Sequence, residues 1–393
     1  MVEKLIKKID AVKSRGNYRK LENYSGKDGK YINYDGRLYV NFSSNDYLGL
    51  SVDKEFLSNF YDNFKLDLNE LGFSTASSRL LSGNNYIYGA LEKELSKYFE
   101  KDKAIVYNSG YHMNIGVLSA LTDKKDLILS DKLNHASIVD GLRLSDAKHF
   151  RYKHLNYDDL ESYLNKFREQ YENVFIVTES LFSMDGDVAD IKKLVDIKKR
   201  YNCFLYVDEA HSVGVYGGGK GVAYEQGVLK DIDILAITFG KAFSSIGGAI
   251  ITNEIFYELL TNFSRSLIFT TALPPVVLCW NFFVLKHMDR FWDRREKLLF
   301  ISNYMRNCFL KNSFNTKGES YIIPYIIGDS EATVKTSNFL KNNGFIAPAI
   351  RPPTVPDGSS RIRFSLNSLI STEDIDRLVE LLKQEVSYEN RKS

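Results

Sequence analysis

What this sequence lacks narrows its possible classes first. Its 393 residues include three cysteines, Cys203, Cys279 and Cys308, widely separated and odd in number. They offer neither a disulfide framework nor a Cys-x-x-Cys metal site, and a reducing cytoplasm is the expected compartment. The six histidines show no paired ligand spacing, so no metal centre is expected. Charge of one sign is also missing. The formal net charge is +2, with lysines and acids interleaved along the chain. That balance gives no reason to expect nucleic acid or a membrane surface as a partner. The most apolar stretch, residues 272–285, is broken by Pro274-Pro275 and Asn281. It falls short of the roughly 20 apolar residues that a bilayer-spanning helix needs, so a buried helix is expected there. The N-terminus, Met1-Val2-Glu3-Lys4-Leu5-Ile6-Lys7-Lys8, is amphipathic and charged, without the apolar core of a signal peptide.

What is present is a chain of ordinary globular composition, 44% apolar and 26% charged, long enough for a large core and two domains. Short apolar runs recur at Ala104-Ile105-Val106-Tyr107, Asp126-Leu127-Ile128-Leu129, Val174-Phe175-Ile176-Val177, Cys203-Phe204-Leu205-Tyr206-Val207 and Ile234-Leu235-Ala236-Ile237. Between them, stretches such as 158–171 and 190–201 carry apolar residues at three- and four-residue spacing. Strands apolar on both faces, separated by helices, predict an α/β fold with a mostly parallel sheet covered by helices. Ligands of such sheets bind at the carboxyl ends of the strands. That rule singles out Asn108-Ser109-Gly110, Glu179-Ser180, Asp208-Glu209-Ala210-His211 and Thr238-Phe239-Gly240-Lys241. Beyond about residue 273 a long helical region is followed by strand-like pieces near 321–327 and 361–366 and helices near 331–342 and 372–386, a smaller α+β domain. The expected division is an N-terminal segment 1–45, a large domain 46–272, and a linking helix with a small domain 273–393.

Two strand ends carry the chemistry. An Asp closing an apolar strand is costly unless something positive meets it. A buried Lys is costly unless neutral or covalently bound, and desolvated lysines are suited to Schiff-base chemistry. A pyridoxal cofactor meets both needs: its aldehyde takes Lys241 and its ring nitrogen takes Asp208, which keeps the ring able to accept electrons from a carbanion. His211 is spaced to reach the ring's phenolic oxygen, and Gly240 permits a tight turn beneath the ring. Taken singly, each of these residues has a bland reading as a surface lysine, a turn aspartate or a hydrogen-bonded histidine. Their placement on the same rim of one sheet is what favours the cofactor. Arg361, Arg363 and Ser365 alternate onto one strand face, which puts two positive charges together and calls for an anion. Gly214-Val215-Tyr216-Gly217-Gly218-Gly219-Lys220 has the spacing of a phosphate-binding loop. However, Gly221 stands where that motif needs Ser or Thr, so it reads as a flexible loop near the cofactor.

These residues carry a resemblance. Val207-Asp208-Glu209-Ala210-His211-Ser212-Val213-Gly214 and Thr238-Phe239-Gly240-Lys241-Ala242-Phe243 resemble the signatures of the α-oxoamine synthases, a branch of the fold-type I pyridoxal-phosphate enzymes. The likeness runs nearly end to end, through Asn41-Phe42-Ser43-Ser44-Asn45-Asp46-Tyr47-Leu48-Gly49-Leu50, Ser78-Arg79-Leu80-Leu81-Ser82-Gly83-Asn84, Asn134-His135-Ala136-Ser137, Ser183-Met184-Asp185-Gly186-Asp187 and Ile350-Arg351-Pro352-Pro353-Thr354-Val355-Pro356. It departs at Tyr86-Ile87-Tyr88-Gly89, where the family often has a histidine, and after Lys241-Ala242-Phe243, where a glycine is common.

The resemblance implies an aspartate-aminotransferase-like fold and pyridoxal 5'-phosphate as cofactor. It implies that His135 stacks on the ring and assists proton transfer, and that Gly110 and Tyr111 line the cofactor pocket. Ser183 and His211 hold the ring hydroxyl, and Thr238 holds the phosphate. Thr270 and Thr271 match a segment that reaches the phosphate of a neighbouring subunit, which implies a homodimer with the active site at its interface. Arg363 is the expected partner of the amino-acid carboxylate, with Arg351, Thr354, Arg19 and Asn45 as further substrate-binding residues. The implied reaction is a decarboxylative condensation of an amino acid with an acyl thioester. The segment 350–356 favours L-alanine with a pimeloyl thioester, carried by coenzyme A or an acyl carrier protein, on the route to biotin. Glycine with acetyl-CoA is the rival pair. A non-catalytic member of the fold is disfavoured because Lys241 is present.

Overall fold

A seven-stranded sheet organises the middle of the chain. In spatial order its strands are Lys103–Tyr107, Gly248–Thr252, Ile234–Thr238, Phe204–Asp208, Val174–Glu179, Leu127–Asp131 and Lys148–Tyr152. All neighbours from Ile234–Thr238 onward run parallel, while Gly248–Thr252 is antiparallel to both of its neighbours. The computed structural model describes residues 2–14, 16–63 and 72–390, so Met1 of the N-terminal stretch lies outside the described residues. The expected mostly parallel α/β sheet is present.

The register fixes what stands on the sheet's rim. Glu179 lies opposite Asp208, and Asp208 opposite Ala236. Gly248, where the antiparallel strand enters, pairs with both Thr238 and Tyr107. The carboxyl ends of adjacent strands thus bring Thr238, Asp208 and Glu179 side by side. Beneath them the strands are buried on both faces, with Leu205, Val207, Leu235 and Ile237 fully enclosed. Two strands gave no clear signal in the sequence. Lys148–Tyr152 is an edge strand whose first and fourth residues are exposed, so it reads as polar. Gly248–Thr252 opens on a glycine and is only five residues long, yet every residue in it is buried.

The chain divides into two compact units. The one built on the large sheet comprises residues 53–182 and 188–295; the other comprises 1–52, 183–187 and 296–393. The second unit contains a three-stranded antiparallel sheet of Ile322–Gly328, Ser360–Ser365 and Ala349–Ile350. A second sheet is formed by the N-terminal strands Gly26–Asp28, Tyr31–Tyr34 and Arg37–Asn41, with Phe345–Ile346 added parallel to Arg37–Asn41. Helices Ser330–Asn342 and Thr372–Asn390 complete it. In the long helical region, Pro275–Lys286 is the expected buried helix, starting on proline, and a 3-10 turn Met288–Phe291 precedes Trp292–Lys311. Among the described residues no helix is long and apolar enough to cross a membrane.

The glycine segment after Asp208 is folded, not loose. Gly217, Gly218, Gly219 and Gly221 all take positive φ, a conformation that favours glycine. The turn is closed by bonds from the Gly219 and Gly221 amides to the Tyr216 carbonyl, both 2.9 Å. Lys220 leaves it to pair with Glu100 at 3.1 Å and lies over the rings of Tyr98 and Tyr224. Its ammonium is engaged there and not at a phosphate.

Candidate active site

The rim is built around two adjacent carboxylates with different surroundings. Glu209 is fully buried and points back into the protein. It accepts from the Ser180 hydroxyl at 2.7 Å, the Val222 amide at 2.9 Å, the Ala223 amide at 2.7 Å and the Ser212 hydroxyl. Burial pushes its carboxyl up, while these four donors pull it back. It clamps the glycine turn to the sheet. Asp208, 5% exposed, closes its strand with an Asx turn: Oδ1 accepts from the Ala210 amide at 2.8 Å. Its Oδ2 accepts from Asn114 Nδ2 at 2.9 Å. Each oxygen retains acceptor capacity for a cationic partner. His211 is buried in the turn that follows.

His135 caps the helix Ala136–Leu144 and its amide donates to Glu179. Burial lowers the imidazole's proton affinity, Asp208 raises it and Lys241 lowers it, so both charged groups lie within electrostatic reach of the ring. Glu179 is also pushed well above the usual carboxylate range, first by burial, then by Asp208, with Lys241 opposing. The turn carrying Lys241 follows Ile234–Thr238 directly. It is closed by Ser244 N–H to the Lys241 carbonyl at 2.8 Å and by Phe239 N–H to the Gly247 carbonyl at 3.0 Å. Its left-handed residues are Ser244 and Gly247. Gly240 itself would meet a Cβ only at 3.6 Å, an ordinary contact, so the tight turn expected at Gly240 is made elsewhere.

Opposite this turn the helix Gly110–Leu121 begins, capped by the Ser109 hydroxyl accepting from His112 N–H at 3.1 Å. A Cβ on Gly110 would stand 3.5 Å from Thr238 Oγ1, and one on Gly248 would stand 3.3 Å from Gly110 itself. Glycine at 248 lets the helix start close to the strand ends, whereas a Cβ at 110 would make only an ordinary contact. Thr238 donates its hydroxyl proton to the Gly247 carbonyl at 3.0 Å. Tyr111 donates to Asp140 at 2.6 Å, which ties its ring beside the helix that His135 caps. Asn108 Nδ2 holds Thr270 Oγ1 at 3.2 Å and the Thr271 carbonyl at 2.6 Å, so that pair stands next to the same helix start. Asp208, Lys241, His135, Thr238 and Gly110 therefore share one rim, and Thr270 and Thr271 lie beside the start of its helix. Its donor set fits pyridoxal phosphate: a buried carboxylate for a ring nitrogen, an amine for an aldehyde, and helix-start amides with hydroxyls for a phosphate.

The remaining candidates belong to the other unit. Arg361 and Arg363 share one face of Ser360–Ser365, and both are buried. Arg361 is neutralised inside the protein by a salt bridge to Asp185. Arg363 has only neutral acceptors among the described residues: the Ser183 carbonyl, and Asn45 Oδ1 at 3.3 Å. Burial pushes the nearby Tyr47 phenol up to about 12 against the influence of Arg363, so that contact is neutral too. Of the two positive charges read from the sequence, one is met by Asp185 and the other is left for an anion. Arg19 donates to Thr354 Oγ1 at 2.9 Å, and Arg351 donates to the Gly16 carbonyl. Burial and then Arg19 lower the Arg351 guanidinium. Asn45, Ser183 and Arg363 thus come together, and so do Arg19, Arg351 and Thr354.

Sequence reasoning missed Asn114 and Tyr206. Tyr206, fully buried, donates to Asn114 Oδ1, and Asn114 is 2% exposed. The available signal was an asparagine at a core position of an otherwise apolar helix, beside Met113, Gly116 and Val117.

Residues 38–382 match the aminotransferase class I and II family. The chain is 43% identical to the 8-amino-7-oxononanoate synthase of Chlorobaculum parvum over 97% of its own length and 98% of the relative's. Among solved structures it is similar to the serine palmitoyltransferase of Sphingomonas wittichii, with TM-score 0.88, 28% identity and coverage of 97% and 96%. It is also similar to the 8-amino-7-oxononanoate synthase of Francisella tularensis, with TM-score 0.74, 30% identity and coverage of 90% and 99%. A serine palmitoyltransferase from S. paucimobilis, solved as a lysine-to-alanine variant with a bound PLP–myriocin aldimine, has TM-score 0.88, 25% identity and coverage of 96% and 95%.

Proposed function

We propose, for a chain that belongs to the aminotransferase class I and II family and within it to the 8-amino-7-oxononanoate synthases, the decarboxylative condensation of L-alanine with a pimeloyl thioester. The products are 8-amino-7-oxononanoate, carbon dioxide and the free thiol, in biotin biosynthesis. What carries this reading is the 43% identity over nearly the full length of both chains. Pyridoxal phosphate supplies a protonated ring that stabilises negative charge at the amino acid's Cα.

The chain's own residues do the rest. The Lys241 amine would hold the cofactor's aldehyde carbon and, when free, would take the proton from the alanine Cα. Asp208, held by Asn114 and the Ala210 amide, would pair with the ring nitrogen. His211 and Ser183 would hold the ring hydroxyl, while the amides of Gly110 and Tyr111 would hold the phosphate, joined by Thr238 once its hydroxyl proton turns away from the Gly247 carbonyl. Arg363, with no internal counter-ion among the described residues, takes the alanine carboxylate until it leaves as carbon dioxide. Arg19, Arg351, Thr354 and Asn45 are further substrate-binding residues. The electron pair freed at Cα attacks the thioester carbonyl carbon, with His135 hydrogen-bonding the developing oxygen. The thiolate departs as the carbonyl re-forms, and the electron pair left at Cα by loss of carbon dioxide takes back the proton held by Lys241.

The working assembly is a cytoplasmic homodimer in which Thr270 and Thr271 serve the partner's phosphate. Leu81 and Phe269, 81% and 70% exposed in the single chain, are apolar surface that a partner would cover. The acyl group arrives on coenzyme A or on a carrier protein.

Carbon dioxide release by the pure protein tests the reading, with alanine or glycine against pimeloyl-CoA or acetyl-CoA. Turnover with alanine and pimeloyl-CoA alone is expected. Preference for glycine with acetyl-CoA would reassign the substrates.

A further inference from the structure

Four side chains behind the rim form one hydrogen-bonded chain that the reaction above leaves unexplained. Asn114, Ser137 and Tyr206 are 2%, 1% and 0% exposed, and Asp208 is 5% exposed. A carboxamide offers two N–H donors on nitrogen and lone pairs on oxygen. Asn114 uses both donors and its oxygen at once. Its Nδ2 donates to Asp208 Oδ2 and to Ser137 Oγ, both at 2.9 Å, and its Oδ1 accepts from the Tyr206 hydroxyl. The amide has one sensible orientation, because a carboxylate only accepts and must face the nitrogen. Burial, then Asp208, push the Tyr206 phenol well up, in keeping with a hydroxyl that stays a donor.

The polarity of the chain carries on to His135. The Ser137 backbone N–H, which can only donate, points to His135 Nδ1 at 3.2 Å and makes that nitrogen an acceptor. Ser137 Oγ, which receives the Asn114 proton, lies 2.7 Å from the same nitrogen and directs its own proton there. A ring nitrogen that accepts twice carries no proton. We propose that Asn114 is a positioning residue. Through Ser137 it fixes neutral His135 with its proton on Nε2, while the same amide aligns Asp208. His135 thereby presents an N–H hydrogen-bond donor at Nε2, and the carboxylate and the imidazole are set by a single side chain. The consequence for the reaction rests on the functional reading above; the tautomer itself does not.

The test is a pH titration of the histidine ring nitrogens by 15N NMR. It uses the full chain, cofactor-free and loaded, with His135 assigned from a His135→Gln variant. The groups whose charges act on this ring are Asp208, Lys241 and Asp140, and Glu179 accepts from its backbone amide. The expected pattern above the titration is a neutral ring protonated on Nε2. Donors to Nδ1 oppose protonation of the ring, so Ser137→Ala should raise the titration midpoint by about one unit, the equivalent of one ordinary hydrogen bond. Asn114→Leu should move it the same way by less, and Ser137→Thr, which keeps the hydroxyl, should restore it. Circular dichroism and thermal melts confirm that each variant is folded. A wild-type ring protonated on Nδ1 would overturn the proposal, as would a midpoint unmoved in folded Ser137→Ala. Absence of carbon dioxide release with this ring pattern intact would instead count against the functional reading alone.

Discussion

The rim of the seven-stranded sheet and the face of the three-stranded sheet treat buried charge in the same way with opposite signs. On the large sheet, two neighbouring carboxylates divide the work. Glu209 has four donors from the protein and is spent on holding a turn. Asp208 has one donor on each oxygen and keeps capacity for a cation. On the small sheet, two arginines two residues apart divide it likewise. Arg361 is neutralised by Asp185, and Arg363 rests on neutral oxygens. In each pair one member is satisfied within the protein and the other keeps capacity for a further partner. Residue type does not separate them. The count and charge of the partners does.

That comparison can be broken, and the largest expected effects fall on the ligand-facing members. Lys241→Ala should lower carbon dioxide release on the order of 1000-fold, with the melting temperature nearly unchanged. Arg363→Ala should cut kcat/KM for alanine by roughly 100-fold, chiefly through KM, by removing a charge-assisted partner of the carboxylate. Its neighbour should behave in the opposite way. Arg361→Ala leaves Asp185 buried without its counter-ion, and chemical denaturation should show a loss of about 3–5 kcal/mol. Comparable catalytic losses in both arginine variants, without the stability difference, would remove the distinction.

Glu209→Gln sharpens the acidic pair. Its folded carboxyl is raised by burial, so its contribution to stability is present below the unfolded value of about 4.3 and is lost as pH rises through the higher folded value. The variant should flatten that part of the stability–pH curve, and its own cost should be about 1–3 kcal/mol from rearranged buried donors. The smallest effect is expected at Lys30–Asp374, 2.5 Å apart. Burial pushes the Asp374 carboxyl up, but Lys30 and Ser371 prevail and hold it below the usual value. Its stabilisation is therefore present above the unfolded pKa and lost as pH falls through the lower folded one. Lys30→Ala should cost about 1 kcal/mol near neutral pH and nothing in strong acid.

Much of the fold was legible because buried parallel strands must be apolar on both faces. Five runs from Ala104 to Ile237 announced themselves that way. The edge strand Lys148–Tyr152 did not, because its exposed residues break the pattern. Nor did Gly248–Thr252, where glycine is needed so that the helix starting at Gly110 can approach. In the site, Asp208 and Lys241 could be singled out because a charge ending an apolar strand demands a partner. Which arginine of Arg361 and Arg363 is neutralised depends on Asp185, some 180 residues earlier in the chain, and alternation along a strand carries no such information. Asn114 was hidden for a related reason. Its partners Ser137, Tyr206 and Asp208 are distant in sequence, and only the folded sheet brings them to one amide.

The most direct test of the account is to reduce the loaded protein with borohydride, digest it and map the cofactor by mass spectrometry. The account predicts a phosphopyridoxyl group on the peptide containing Lys241 and on no other. Modification at a different lysine, or none at all, would contradict it.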